Sequence, residues 1–298
     1  MTIKKRPLSE RRTFFDYLNY LLLLIIAFAC FVPVLHVVMA SFSEPAKLAT
    51  HAGLIWRPLG ELTFKGYQMV FNDRGILNGY LNTIFYVVTG TALSIFLTTL
   101  GAYVCSRRNA LFARHITLMI TFTMFFSGGL IPFYLVVNKL GLTNTRLAMI
   151  LPWAISVWNL IIMRTSMQEL PASVVESAQI DGANDFVILF RIIVPLIKPV
   201  LAVMVLYYAV GQWNSWFGAM VFLRERSLYP LQLILREILI QNDTSQIMTQ
   251  ANMGGETNLY KNLIKYCTTV VATVPILCIY PFLQKYFVKG VMIGSIKG

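Results

Sequence analysis

Long apolar stretches dominate this chain, and short polar segments separate them. About 20 consecutive apolar residues are enough for a helix to cross the hydrocarbon core of a bilayer. Six stretches fall within the range of about 17–25 residues that such a helix needs or exceed it slightly, namely residues 14–39, 82–104, 116–137, 147–163, 192–217 and 267–288. The pattern therefore predicts an all-α polytopic membrane protein: a short tail over 1–13, then a single transmembrane domain over 14–298 with six membrane-spanning helices.

Glycine and proline interrupt several of these stretches. They are Gly128, Gly129 and Pro132 in the third, Pro152 in the fourth, and Pro275 and Pro281 in the sixth. In a membrane bundle such residues permit close packing, and kinks where neighbouring groups satisfy the freed backbone. The stretch SLYPLQLILREILIQ, between the fifth and sixth spans, has helix-like periodicity and is also compatible with a strand.

The most distinctive polar segment is 170–199, LPASVVESAQIDGANDFVILFRIIVPLIKP. Ser173 and Glu176 have the spacing of a capping box, which predicts a short helix over 174–180. Gly182 follows that helix and is expected to end it in the left-handed conformation, which glycine adopts without a Cβ penalty.

A second helix is predicted after this glycine. Asn184 is positioned to cap a helix over 185–193. Pro195 and Pro199 are expected to close that helix and to restart the chain as the fifth span. The unit is thus a helix, a glycine elbow and a helix that leads into the membrane.

The first of these helices is predicted to have two unlike faces. Val174, Val175 and Ala178 lie within one arc and are small enough to enter a groove on another protein. The polar side carries Glu176, Gln179 and Asp181. An ordinary polar loop between two membrane helices is the alternative interpretation.

Composition and charge agree with a membrane protein. Of 298 residues, 57% are hydrophobic and 13% are charged, and the net charge is +12. The basic residues cluster beside the spans, as at Arg107, Arg108 and Arg114 or at Arg164 and Arg191, which is typical of topology control. Nucleic-acid binding is therefore not expected, and the positive-inside rule places both chain ends and the loop 170–191 in the cytoplasm.

Several kinds of chemistry have no pattern in this sequence. No GxxxxGK[ST] phosphate loop is present, so the chain is not expected to hydrolyse ATP itself. The span interiors lack carboxylates, and His36 near one span end is more consistent with a packed or interfacial histidine than with a proton relay. The four cysteines, Cys30, Cys105, Cys267 and Cys278, have no metal-site or CxxC spacing. Neither a metal site nor catalysis is expected.

Aromatic faces together with amide or hydroxyl groups, in a mostly preformed cavity, are what a hydroxyl-rich solute such as a sugar needs for binding. The fourth and fifth spans offer that mixture in Trp158, Asn159, Tyr207, Tyr208, Gln212, Trp213 and Asn214. Because tryptophan and tyrosine also gather at membrane interfaces, a belt role remains open for Trp153, Trp213 and Trp216.

The string ESAQIDGA resembles the EAA loop of ABC importer permeases, whose pattern is EAAxxDGAxxxxxFxxIxLP. The matching residues are Glu176, Ala178, Asp181, Gly182, Ala183 and Pro195, while Ser177 stands where that loop usually has alanine. Nearly the whole chain resembles sugar permeases of the MalG kind. SGGLIPFYL, VGQWNSWFGAM and the terminal KGVMIGSIKG are similar to the LplC and YtcP group, whose cargo is polygalacturonan, rhamnogalacturonan or alginate fragments.

The resemblance implies a type I ABC importer in a bacterial cell membrane. Such an importer has two permease subunits, two cytoplasmic ATPase subunits that bind ATP and Mg²⁺, and an external solute-binding protein that delivers the oligosaccharide. It implies that the EAA-loop helix docks on the ATPase, so that Glu176, Ser177, Ala178, Asp181, Gly182, Ala183 and Pro195 would couple ATP hydrolysis to transport. A heterodimer with a second permease is expected, and a homodimer stays open. A cation-coupled sugar carrier and a non-transporting scaffold are the alternatives.

Overall fold

A computed structural model describes residues 14–107, 111–240 and 257–295 of the chain. All the regular structure in these ranges is helical, as predicted. The helices are α1 Phe14–Ser41, α2 Pro45–Thr50, α3 Lys65–Asn72, α4 Arg74–Ser106, α5 Ala113–Phe125, α6 Leu130–Lys139, α7 Val157–Gln168, α8 Ala172–Ile180, α9 Asp185–Val187, α10 Val194–Leu196, α11 Lys198–Trp213, α12 Phe217–Phe222, α13 Leu231–Ile240 and α14 Thr257–Ser295. The predicted tail over 1–13, Arg108 and residues 241–256 lie outside the described residues.

The chain divides into two units, residues 1–70 with 244–270 and residues 71–243 with 271–298. In the first unit, the imidazole of His36 is held on both sides. Its Nδ1 accepts a hydrogen bond from the backbone N–H of Ile55 at 3.0 Å, and its Nε2 lies 3.3 Å from the hydroxyl of Tyr266. Because Nδ1 is the acceptor, Nε2 carries the proton and donates to Tyr266. His36 is thus a packed histidine, as the sequence favoured.

Two of the predicted spans are single long helices, α1 and α4. Helix α4 starts eight residues before the predicted start at Asn82, because Asp73 caps it: its Oδ1 accepts a hydrogen bond from the N–H of Ile76 at 2.7 Å. The sixth predicted span, 267–288, lies inside α14.

The other three predicted spans are broken. The pair α5 and α6 meets at 118°, the turns Arg146–Trp153 meet α7 at 47°, and Asp185–Leu196 meets α11 at 87°. Gly129 lies at the first break with a φ of +83°, a backbone angle that favours glycine. Pro152 lies in the short 3₁₀ turn Leu151–Trp153 before the second break. Gly129 and Pro152 therefore lie at or beside sharp breaks, whereas Pro275 and Pro281 lie within the single helix α14.

Helix α4 is the centre of the second unit, where it packs against α7, α11 and α13. Near its start it approaches α13 closely: a Cβ built on Gly79 would lie 3.2 Å from the Cα of Leu231. Thr83 secures this contact, since its hydroxyl accepts a hydrogen bond from the N–H of Leu231 at 2.8 Å. The stretch whose structure the sequence left open is a helix, α13, and it covers the first half of α4.

Candidate coupling site and membrane path

The polar segment contains the predicted short helix, but its start differs from the prediction. Helix α8 begins at Ala172, and Pro171 precedes it with no side-chain cap. The carbonyl of Pro171 accepts a hydrogen bond from the N–H of Val174 at 3.2 Å. Because proline fixes φ near the helical value, it starts the helix one residue before Ser173. The capping box predicted at Ser173 and Glu176 is therefore wrong.

The glycine elbow at the end of α8 is confirmed: Gly182 has a φ of +81°. Its N–H donates to the carbonyl of Gln179 at 3.0 Å, and the N–H of Ala183 donates to the carbonyl of Ala178 at 2.9 Å. This pair of hydrogen bonds is a Schellman motif, which satisfies carbonyls that a helix end would otherwise leave unpaired. Ala178, Gly182 and Ala183 of the EAA-like string thus build one compact turn.

The two faces of α8 are reversed with respect to the prediction. Ala178 is only 7% exposed and belongs to a buried cluster with Tyr103, Met163 and Ile188, against which Val175 also packs. The arc that was expected to enter a groove on another protein instead packs on the chain's own core. The exposed side of α8 carries Ser173, Glu176, Ser177, Gln179 and Ile180.

Two large apolar side chains are exposed beside the elbow. Ile180 is 86% exposed at the end of α8, and Phe186 is 68% exposed four residues after Gly182. Sequence reasoning did not single out either residue. Both side chains are therefore accessible to another molecule next to this turn. The polar residues Glu176, Ser177 and Asp181, which are near Ile180 in the sequence, are exposed as well.

Beyond the elbow, the chain makes a more complex connection than the predicted helix over 185–193. Asn184 does cap α9, since its Oδ1 accepts a hydrogen bond from the N–H of Val187 at 2.9 Å. The helix then widens into a π-helical segment, Ile188–Ile193. Pro195 lies in the first turn of α10 and does not end the helix; the break falls at Ile197, before α11.

Asp185 joins this segment to the end of α4. Its Oδ1 accepts hydrogen bonds from the hydroxyl of Tyr103 at 2.6 Å and from Nη2 of Arg107 at 3.1 Å. The hydrogen bond from Tyr103, followed by that from Arg107, holds the pKa of the Asp185 carboxyl below its ordinary value of 3.8. The carboxylate is therefore ionised at neutral pH.

The structure separates the seven residues of the predicted sugar pathway into two groups. Asn159, Tyr208, Gln212 and Trp213 are buried. The hydroxyl of Tyr208 lies 2.7 Å from that of Thr98 and accepts a hydrogen bond from the N–H of Ser156 at 3.0 Å, so this tyrosine joins α11 to α4 and to the start of α7. In this structure the four side chains are thus packed inside the chain.

The remaining pathway residues, Trp158, Tyr207 and Asn214, are exposed. Tyr207 and Asn214 are seven residues apart on α11 and so share one side of it. Gly211 lies between them, and a Cβ built there meets nothing within 4 Å, which shows that this side of the helix is open. By contrast, the groove between α4 and α11 is lined almost entirely by apolar side chains and lacks the polar groups that a sugar needs.

Comparison with known proteins decides the family. The sequence profile of the binding-protein-dependent transport system inner membrane component matches residues 90–293, more than half of the chain. The chain belongs to this family. It is a permease component, and ATP hydrolysis takes place in a separate subunit. The two alternatives that the sequence left open, a cation-coupled sugar carrier and a non-transporting scaffold, belong to other classes of protein and do not describe this chain.

Relatives extend over the whole chain. It is 40% identical over 284 residues to the polygalacturonan/rhamnogalacturonan transport system permease protein YtcP of Bacillus subtilis (strain 168), covering 95% of this chain and 98% of YtcP. It is 40% identical over 286 residues to Protein LplC of the same strain, covering 95% of each. In three dimensions the chain matches a solved chain from the crystal structure of a bacterial ABC transporter involved in the import of the acidic polysaccharide alginate. The TM-score is 0.85 and the sequence identity is 32%, and the match covers 96% of this chain and 100% of the solved chain. The family resemblance and the type I importer fold are confirmed.

Proposed function

We propose that this permease imports acidic oligosaccharides, fragments of uronate-containing polysaccharides, across a bacterial cell membrane. The support comes from relatives over nearly the full chain. One of them, 40% identical, is named for polygalacturonan and rhamnogalacturonan, and another, 32% identical, belongs to a transporter of the acidic polysaccharide alginate. Polygalacturonan and alginate are both polymers of acidic sugars, so a carboxylate-bearing glycan is the cargo these relatives have in common.

The proposed assembly pairs this chain with a second permease as a heterodimer, with two ATPase subunits inside the cell and a solute-binding protein outside. Both ends of the chain face the cytoplasm in this arrangement. The loop 170–191 then lies on the ATPase side of the membrane, as the positive-inside rule predicts.

The observation that carries the coupling proposal is the exposed apolar pair, Ile180 and Phe186, beside a rigid turn. Full burial of one such side chain is worth about 1.5–3 kcal/mol, so two provide a substantial anchor for a protein partner. The ATPase is the occupant that fits, because the loop lies in the cytoplasm and the family depends on a separate ATPase. Glu176, Ser177 and Asp181 would form the polar rim around this anchor.

The buried side of α8 fixes the position of this exposed anchor. Ala178 and Val175 pack on the core of the same unit, and the Schellman turn at Gly182 fixes the end of the helix. A partner that holds Ile180 would therefore move α8 as a body. Short rigid elements that shift between two packings are a common way to transmit a conformational change.

A charge at the anchor tests this part of the proposal. Ile180→Arg should release the ATPase from the detergent-purified complex, because a guanidinium would be forced into an apolar contact. Leu111→Arg is the matched control, since Leu111 is 85% exposed against 86% for Ile180 and also lies in a loop predicted to be cytoplasmic. Retention of the ATPase by Ile180→Arg, or its equal loss from Leu111→Arg, would contradict docking at this surface.

The cargo side of the proposal concerns the open side of α11 and the exposed Trp158. Tyr207 and Asn214 offer an aromatic face and an amide, the groups that contact the C–H surface and the hydroxyls of a sugar.

In proteoliposomes with the binding protein and the ATPase, uptake of oligogalacturonate should require ATP and should continue after proton and sodium gradients are collapsed. Gradient-driven uptake without the ATPase would overturn the proposed function.

A further inference from the structure

The cytoplasmic coupling loop holds the end of α4 from both of its flanks. On the upstream side, Nε of Arg164 in α7 donates a hydrogen bond to the carbonyl of Cys105 at 2.9 Å. On the downstream side, Asp185 accepts hydrogen bonds from Tyr103 and Arg107. The last turn of α4 is thus joined to residues before and after α8.

The downstream contact joins three side chains. Tyr103 and Arg107 donate to the same carboxylate oxygen of Asp185, and the guanidinium of Arg107 lies 4.9 Å above the centre of the Tyr103 ring. Hydrogen bonds to an ionised group are stronger than those between neutral groups. The side chain of Asp185 is 71% exposed, so solvent weakens the ion pair, and the buried Tyr103 ring gives the arrangement its fixed position.

The side-chain hydrogen bonds that the structure gives to Asp185 lead to another helix. Asn184 supplies the cap of α9, and Gly182 supplies the turn before it. Asp185 itself is bonded to Tyr103 and Arg107 at the end of α4. Its side chain therefore links two elements that are distant in the sequence.

We propose that Tyr103, Arg107 and Asp185 form a positioning clamp that passes the movement of α8 to α4. This inference rests on the proposed docking of the loop on the ATPase. Without the clamp, the segment that follows the Gly182 turn is not tied to α4, and the movement of α8 is only partly passed on. With it, the displacement reaches α4, which packs against α7, α11 and α13, and so reaches the bundle that encloses the path.

The test measures transport per ATP hydrolysed in proteoliposomes that contain the complete importer and use oligogalacturonate as the probe cargo. Asp185→Asn and Tyr103→Phe should each lower this ratio about three- to tenfold, the effect expected from loss of one charge-assisted hydrogen bond. Tyr103→Phe keeps the ring that packs in the core, so it removes the hydroxyl contact alone. The double variant should lose less than the product of the two single losses, because both changes weaken the same contact between Tyr103 and Asp185.

Glu169→Gln is the matched control, since it neutralises an exposed carboxylate on the other flank of α8 that takes no part in the Tyr103 contact. It should leave the ratio unchanged. The ATPase should co-purify with all four variants, because none alters the surface at Ile180.

The outcomes separate the clamp from the docking on which it rests. A normal transport ratio in Asp185→Asn, or fully additive losses in the double variant, overturns the clamp while docking stands, provided that Ile180→Arg still releases the ATPase. Release of the ATPase by Asp185→Asn would make Asp185 part of the docking surface and would also overturn the clamp. If Ile180→Arg has no effect either, the docking proposal itself fails.

Discussion

The glycine elbow gives the most direct test of how the coupling loop works. Gly182 has a φ of +81°, and a Cβ built on it meets nothing within 4 Å. A substitution there therefore meets no steric obstacle from neighbouring atoms, and its whole cost comes from the backbone conformation. For alanine, the left-handed conformation costs roughly 1–2 kcal/mol relative to the right-handed one.

This cost should appear as a change in the end of α8. Relief of the strain requires a lower φ at position 182, which breaks the hydrogen bonds that Gly182 and Ala183 donate to Gln179 and Ala178. The last turn then unwinds and displaces Ile180. A difference of about 1–2 kcal/mol shifts the balance between the formed and the unwound turn by about five- to thirtyfold.

Gly211→Ala provides a matched control. A Cβ at Gly211 also meets nothing within 4 Å, but this residue lies inside α11, where alanine is preferred over glycine by up to about 1 kcal/mol. Gly182→Asn is a second control, because asparagine tolerates the left-handed conformation better than other residues with a side chain. We expect sugar-stimulated ATP hydrolysis to fall in Gly182→Ala, to fall further in Gly182→Val, and to be largely retained in Gly182→Asn and Gly211→Ala.

Membrane insertion and pairing with the second permease should be normal in all four variants, since Gly182 lies outside the spans and alanine at position 211 favours the helix of its span. The decisive comparison is that between the two alanine variants, measured as sugar-stimulated ATPase activity of the reconstituted importer. Equal activity of Gly182→Ala and Gly211→Ala would show that the left-handed turn is not required. A loss in Gly182→Asn as severe as that in Gly182→Val would point to the side chain, not the backbone angle, as the cause.

Three further predictions follow from the same geometry. Ala178→Arg should lower the assembly and thermal stability of the permease itself, measured by size-exclusion chromatography after heating, because Ala178 is buried against its own core; stable permease that merely loses the ATPase would contradict this. Tyr208→Phe should destabilise the permease by about 1–2 kcal/mol in thermal unfolding, whereas Tyr207→Phe should change the apparent affinity for oligogalacturonate; a change of affinity in Tyr208→Phe and none in Tyr207→Phe would refute the division of the pathway residues. Because the pKa of Asp185 is below its ordinary value of 3.8 in the folded protein, its contact is complete above that value and is lost only as the pH falls through the folded pKa. The ratio of wild-type to Asp185→Asn coupling should therefore stay constant from pH 8 to about pH 5, and a decline within this range would refute the ionised clamp.

The apolar pattern was sufficient to predict where helices lie along the chain but not their shape. Length and hydropathy predict where a helix is long enough to cross a bilayer, and they do not distinguish one straight helix from two shorter helices at an angle. The sharp break at Gly129 depends on its positive φ, which its neighbours determine. The start of α4 depends on Asp73, a single cap outside the apolar stretch.

The reversed faces of α8 have a different cause. A helical arc of small apolar residues indicates which side of a helix is buried, but not whether the covering surface belongs to the same chain or to a partner. Ala178 and Val175 satisfy that pattern by packing on their own core. The apolar residues left for a partner are Ile180 and Phe186, which lie on either side of Asp181 and Gly182 in the sequence. Apolar residues show no helical periodicity across this turn, so the pattern could not predict them.

The EAA-like string can now be explained by physical role. Ala178 has to be small because α8 lies directly on the core. Ala183, the residue after Gly182, contributes its backbone N–H, which completes the Schellman turn. Ser177 stands where the resembled loop has alanine, yet it is exposed, so its hydroxyl remains hydrated and the exchange costs little. Ser177, the residue that departs from the pattern, is thus on the solvent side of α8, whereas Ala178, Gly182 and Ala183 hold its underside and its end. A helix fixed in this way can bear the pull of a partner at Ile180 without unwinding, which is the property that a coupling element needs.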